Sequence, residues 1–91
     1  MNPPSYRVVV AATAERALGR LPEAAAAAVV EFMAGALTES PRRVGHPLRH
    51  ELTGLLAARR GPYRVIYQID DDEHLVQVLR IDHRADIYRP R

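Results

Sequence analysis

The sequence predicts an α+β domain in which two N-terminal helices pack on one face of a small, mostly antiparallel, four-stranded sheet. Three observations predict it. The stretch Gly61-Pro62-Tyr63-Arg64-Val65-Ile66-Tyr67-Gln68-Ile69-Asp70 follows a turn signal and alternates with a period of two. Upstream, between residues 13 and 37, apolar residues recur at helical spacing. Late in the chain the connections between β-type stretches are short and marked by Gly, Pro and Asp, which joins neighbouring strands as hairpins.

In the central strand, alternation places Tyr63, Val65, Tyr67 and Ile69 on one face and Arg64, Ile66, Gln68 and Asp70 on the other. The first set reads as core and the second as a half-polar working face. A strand holds its side chains in fixed directions, so Arg64 suits repeated binding of a phosphate in one geometry. An exposed strand arginine in a surface ion pair is the plainer reading, and the strand alone leaves both open.

Taken in order, residues 1–5 are a Pro-containing lead-in. Residues 6–10 form a first strand with Tyr6, Val8 and Val10 on one side. Thr13 is expected to cap the first helix, with Glu15 in its first turn and Ala14, Ala17, Leu18 and Leu21 on its inner side. Pro22 ends that helix and suits the start of a second, over residues 22–37, with Ala25, Val29, Phe32, Met33 and Ala36 on one stripe. Residues 40–47 read as a loop. Residues 48–54 form a connector pinned by Leu48, Leu52 and Leu55, and residues 55–60 a short strand. Asp70 to Glu73 read as a solvated hairpin turn, with His74 beside it. The last main strand covers residues 75–81, where apolar positions change parity between Val78 and Leu79, which implies a bulge or a strand covered on both faces. Residues 82–91 are a polar tail.

At 91 residues the chain is one domain. A domain of this size buries only about 60–65% of its unfolded surface, so the core is small, and either marginal stability or a partner covering some apolar surface is expected. No cysteine is present, which removes disulfide and thiolate chemistry. No secretion signal or membrane-length apolar stretch is evident, so a soluble cytoplasmic protein without membrane association is expected. All 13 basic residues are arginine, so histidine is the one basic side chain able to accept a proton near neutral pH. The net charge is +2. Arginines cluster at Arg42, Arg43 and Arg49, at Arg59, Arg60 and Arg64, and at Arg80, Arg84, Arg89 and Arg91. Such clusters suit nucleic acid or an acidic protein partner.

The pair His46 and His50 is separated by four residues, but Pro47 interrupts any helix that would align them, and no third ligand is near in sequence. No metal site or cofactor is expected. There is no Gly-rich phosphate loop and no nucleophile elbow. The remaining set is Arg64, His83, Arg84 and Tyr88: two fixed cations, one titratable ring and one aromatic platform. RNA cleavage through the ribose 2′-OH calls for that combination.

The succession of two helices, Leu52-Thr53-Gly54, Arg59-Arg60-Gly61-Pro62-Tyr63-Arg64-Val65-Ile66-Tyr67-Gln68-Ile69-Asp70, then Ile81-Asp82-His83-Arg84 and Ile87-Tyr88-Arg89 resembles the RelE branch of the RelE/ParE toxin superfamily. The resemblance spans nearly the whole chain. It implies a curved sheet with helices on its convex side, and a toxin of a type II toxin–antitoxin pair that cleaves mRNA at the ribosome without metal. It also implies inhibition by a small antitoxin that carries an amphipathic helix. Arg64 corresponds to the family's central-strand arginine on the scissile phosphate, Arg84 to a C-terminal arginine, and Tyr88 to a tyrosine that positions the substrate. Where some members carry lysines on the preceding strand, this chain has Leu55-Leu56-Ala57-Ala58, and where common members read Gly-Asp-Tyr-Arg it has Gly61-Pro62-Tyr63-Arg64. His83 is then the candidate base, and Arg42, Arg43, Arg49, Arg59 and Arg60 are candidate contacts to RNA phosphates. Two rivals are a ParE-like inhibitor of DNA gyrase with no RNase activity and a degenerate toxin that only binds its antitoxin.

Overall fold

A computed structural model describes residues 5–84 of the chain. The elements run β1 (Arg7–Val10), α1 (Ala12–Gly19), α2 (Glu23–Ala34), α3 (Ala36–Glu39), β2 (His46–Pro47), a 3-10 turn (His50–Leu52), β3 (Leu56–Arg60), β4 (Tyr63–Asp70) and β5 (Leu75–His83). The strands form one sheet in the order β1-β5-β4-β3-β2. Only the β1–β5 pairing is parallel among the described strands. The sheet therefore has five strands where the sequence implied four.

The fifth strand is β2, within the segment expected to be a loop. Two residues ending in proline carry no periodic signal, and the strand exists because the chain is drawn close to the sheet just before it. Gly45 is buried, and a Cβ there would meet the Tyr67 hydroxyl and lie 3.1 Å from the Ala57 carbonyl oxygen. That close approach brings His46 opposite Ala57 and Pro47 opposite Leu56.

The helices differ from expectation at their ends. The first begins at Ala12 after an extended Ala11, and no side chain caps it. Thr13 thus lies inside the first turn, where its hydroxyl is past the position that could serve the leading N–H groups. Pro22 is extended (φ −54°, ψ 147°) and stands just before α2, its carbonyl accepting from the Ala26 N–H at 2.9 Å. Gly35 (φ −109°, ψ −95°) breaks the second helix and starts the short α3. The Thr38 hydroxyl donates to the Gly35 carbonyl at 2.7 Å, adding to the Thr38 N–H that already donates to it at 3.0 Å and reinforcing the start of α3.

The stripe expected on the second helix is the buried one. Val29, Phe32 and Met33 meet Val65 and Tyr67 of β4 and Val76, Val78 and Ile81 of β5, with Ala14 and Leu37 closing the layer. Full burial of side chains of this size contributes about 1.5–3 kcal/mol each, which makes this layer the main support of the fold. Tyr6, Val8 and Val10 pack at its edge, as the alternation of β1 requires. Leu52 is 38% exposed and pins nothing, while Leu48 and Leu55 are half-buried. The 3-10 turn points Leu52 outward.

The change of parity in β5 is a bulge. Ile66 pairs with Arg80 and Tyr67 with Val78, so Leu79 is the extra residue. The bulge keeps Val76, Val78 and Ile81 all on the helix side. It also turns Arg80 and Asp82 to the open face beside Ile66 and Arg64.

Candidate active face

The corner where β3 turns into β4 builds the site. Arg60 pairs with Tyr63 across the two-residue turn Gly61-Pro62, and Gly61 has φ +59°. A positive φ at the first turn position is what such a hairpin needs, and glycine adopts it without a Cβ clash. The tight turn fixes the register, so Arg59 lies opposite Arg64, and Arg64 lies opposite Asp82 on the other side. A row Arg59–Arg64–Asp82 thus crosses the open face. A second row, His46–Ala57–Ile66–Arg80, lies parallel to it.

Two hollows flank Arg64. One, of about 180 Å³, is lined by His46, Leu48, Ala57, Ala58, Arg59 and Arg64. The other, much smaller at about 10 Å³, is lined by Arg59, Gly61, Pro62, Tyr63, Arg64 and Arg84. Arg59 and Arg64 form the wall between them. The Arg84 N–H donates to the Pro62 carbonyl at 2.7 Å, which carries the β5 end past the turn and brings Arg84 to the second hollow.

Charge on this face is left largely uncompensated. Among the described residues the ion pairs are Arg42–Asp71 and Arg80–Asp82, and neither includes Arg59, Arg64 or Arg84. Asp82 is the carboxylate opposite Arg64, but Arg80 holds it at 2.6 Å. The surface-pair reading of Arg64 therefore does not describe it. Three guanidinium groups with fixed charge surround two concavities, an arrangement suited to successive phosphates along a strand.

Residues 8–88 match the family described as ParE toxin of the type II toxin–antitoxin system parDE. A curated relative, Toxin RelG of Mycobacterium tuberculosis, is 56% identical over 84 residues, covering 92% of this chain and 97% of its own. Toxin RelE of the same organism is 54% identical over 84 residues, covering 92% and 87%. The toxin–antitoxin complex RelBE2 of M. tuberculosis is similar in structure, with a TM-score of 0.84 at 52% identity, covering 88% of this chain and 99% of that one. The chain is a toxin of the RelE/ParE family.

In this RelE-like toxin the structure brings together Arg59, Arg64 and Arg84 and separates several other candidates from them. His83 lies opposite Tyr63, and their rings meet edge to face with centroids 5.1 Å apart. Tyr63 packs on the core, so strand alternation puts His83 on the helix side, across the sheet from Arg64. Arg60 is likewise on the helix side, its guanidinium 3.7 Å from the centroid of the Phe32 ring. Tyr88 lies outside the described residues. Arg43 and Arg49 are exposed on the segments that flank β2.

Arg42 stands at the far end of the sheet. It holds both carboxylate oxygens of Asp71, at 2.8 and 2.5 Å, and the Tyr6 hydroxyl donates to Asp71 at 2.9 Å. Those hydrogen bonds, Arg42 first, hold the Asp71 carboxyl below its usual range, and the Asp71 contact raises the Arg42 guanidinium in turn. Tyr6 also stacks on His74, with ring centroids 3.8 Å apart. This cluster ties the loop after α3 to the β4–β5 turn, which gives one member of the acidic turn a structural task. Among the described residues no three potential metal ligands gather.

The sequence reading missed His46 as a member of the face and the Arg80–Asp82 pair that leaves Arg64 charged. The His46 pairing with Ala57 spans a connector with no periodicity of its own. The Arg80–Asp82 contact could have been read from strand alternation, which puts residues two apart on one side.

Proposed function

We propose that this toxin is a ribosome-dependent mRNA endonuclease. In the proposed reaction the ribose 2′-oxygen attacks its own 3′-phosphate, leaving a 2′,3′-cyclic phosphate and a 5′-hydroxyl. The observation that carries this reading is the uncompensated trio Arg59, Arg64 and Arg84 around two hollows on a rigid sheet face. Charge builds on the phosphate oxygens in the transition state, and preorganised guanidinium groups stabilise it there more than in the ground state. Arg64 takes the scissile phosphate, Arg84 supports it, and Arg59 contacts a neighbouring phosphate. Tyr88 is assigned to stacking on a substrate base.

The two M. tuberculosis relatives carry toxin names, and the similar structure is a complex with an antitoxin. By that likeness the chain partners a small antitoxin in the cytoplasm. The outer surface of α2 offers a fitting site, with Ala24, Ala27, Ala28 and Ala34 exposed around Val30, itself 47% exposed. An amphipathic helix covers such a face well. No helix among the described residues is long and apolar enough to cross a membrane.

The family match named for ParE keeps a second reading in view, inhibition of DNA gyrase without RNA chemistry. Inducing the chain without an antitoxin and mapping new 5′-hydroxyl mRNA ends separates the two. Ends at in-frame codon positions that vanish with Arg64→Ala support cleavage. Replication arrest without new ends supports the gyrase reading, and no arrest at all supports a toxin reduced to binding its antitoxin.

A further inference from the structure

The arginines of the active face cannot accept a proton, and attack by a 2′-OH releases one. Four imidazoles are available in the chain. His83 is across the sheet against Tyr63, and His74 is stacked on Tyr6 at the far end of β4. His50 sits in the 3-10 turn outside the sheet. His46 alone stands in register on the open face, in the row beside that of Arg64, and lines the same 180 Å³ hollow as Arg59 and Arg64.

The register gives its distance from the charge centre. His46 and Arg64 are two strands apart and two residues out of line, about 10 Å across and about 7 Å along the sheet at the backbone. Both side chains line the hollow to which Ala57 contributes only a methyl group. The backbone that carries the ring is held on both sides of it. Gly45 is clasped between Tyr67 and Ala57, and after Pro47 the Leu48 N–H donates to the Leu55 carbonyl at 2.9 Å. Among the described residues no carboxylate lines this hollow. Asp82 is engaged by Arg80, and Asp70 is six residues along β4 from Arg64, about 20 Å away.

We infer that His46 is the catalytic base of this toxin, accepting the 2′-OH proton while Arg64 holds the phosphate. The inference rests on the mRNA-cleavage reading above. In the step, the O2′–P bond forms as the P–O5′ bond breaks. The 2′-OH proton passes to the neutral imidazole of His46, and the departing 5′-oxygen takes a proton from solvent water. The charged groups facing the ring are Arg59 from β3 and Arg64 from β4, with Arg80 and Asp82 of β5 beyond them on the same face.

The test is single-turnover cleavage of mRNA on programmed ribosomes from pH 5.5 to 8.5 with the wild-type chain, His46→Ala and His46→Gln. The wild-type rate should rise with pH across the range in which imidazole loses its proton. Both variants should be slower by about 10²–10⁴-fold and should lose that rise. Ribosome binding should change by less than a few-fold. A variant that cleaves within threefold of wild type, or is slower yet keeps the same rise, overturns the assignment of His46 and leaves the nuclease reading standing. A wild-type chain that yields no 5′-hydroxyl ends overturns both.

Discussion

Arg59 and Arg60 are neighbours in sequence on opposite faces of the sheet. Arg60 lies over the Phe32 ring and has become part of the cover of the core. Arg59 lies opposite Arg64 above an open hollow, with no carboxylate in ion-pair contact among the described residues. The difference comes from what each face meets. On the helix side an aromatic ring receives the cation and the side chain adds to stability, whereas on the open side the cation keeps its field for a ligand. Stability and function are thereby divided between two faces of the same strands.

The division can be broken from either side. Arg64→Ala should lower cleavage by about 10²–10³-fold while the melting midpoint stays in place. A matching loss of stability would mean that the open face is structural after all. Conversely, Tyr67→Phe should act on stability alone. The Tyr67 hydroxyl donates to the buried Pro41 carbonyl at 2.5 Å, and its loss should cost about 1–2 kcal/mol in denaturant unfolding, with cleavage by the folded chain unchanged.

The same tyrosine gives a pH signature. Burial pushes its phenol up from 10.0 to about 12. Its contribution is fully present below pH 10. Between pH 10 and 12 the unfolded chain has lost the phenol proton and the folded chain has kept it, so stability falls by about 1.4 kcal/mol per pH unit. The Phe variant should show a flatter alkaline limb in thermal melts.

Smaller effects sharpen the contrast between the paired arginines. Arg60→Ala should cost about 1 kcal/mol through the lost ring contact and leave cleavage intact. Arg59→Ala should do the reverse, slowing cleavage roughly three- to tenfold at unchanged stability, with a weaker salt dependence. Smallest of all, Arg42→Ala should lower the melting midpoint slightly at low salt and hardly at all at high salt. Because the Asp71 carboxyl is held below its usual range, that contribution is present above the normal carboxylate titration and fades as pH falls through the lowered one. Melts at pH 7 and pH 3 would read both trends.

The parts legible in the sequence are those where one local period decides the outcome. The two faces of β4, the Val29-Phe32-Met33 stripe and the irregularity after Val78 were all visible in spacing. What escaped depended on contacts between distant segments. His83 looked like a partner of Arg64 by proximity in the motif, but the register of β4 with β5 sets it opposite Tyr63. Arg60 looked like a second phosphate contact until Phe32 was placed beneath it. The role of Gly45 and the existence of β2 follow from the reach of the Tyr67 hydroxyl, 22 residues further along the chain.

The brevity of β2 also determines how the sheet meets its surroundings. Its two residues cover only Leu56 and Ala57, so Ala58, Arg59 and Arg60 of β3 have no strand neighbour on that margin among the described residues, while Pro47 itself has no N–H to offer a further strand. The opposite margin, β1, presents four residues with Arg7 and Val9 exposed. Both margins therefore keep backbone open, along β1 on one side and along residues 58–60 beside the short β2 on the other.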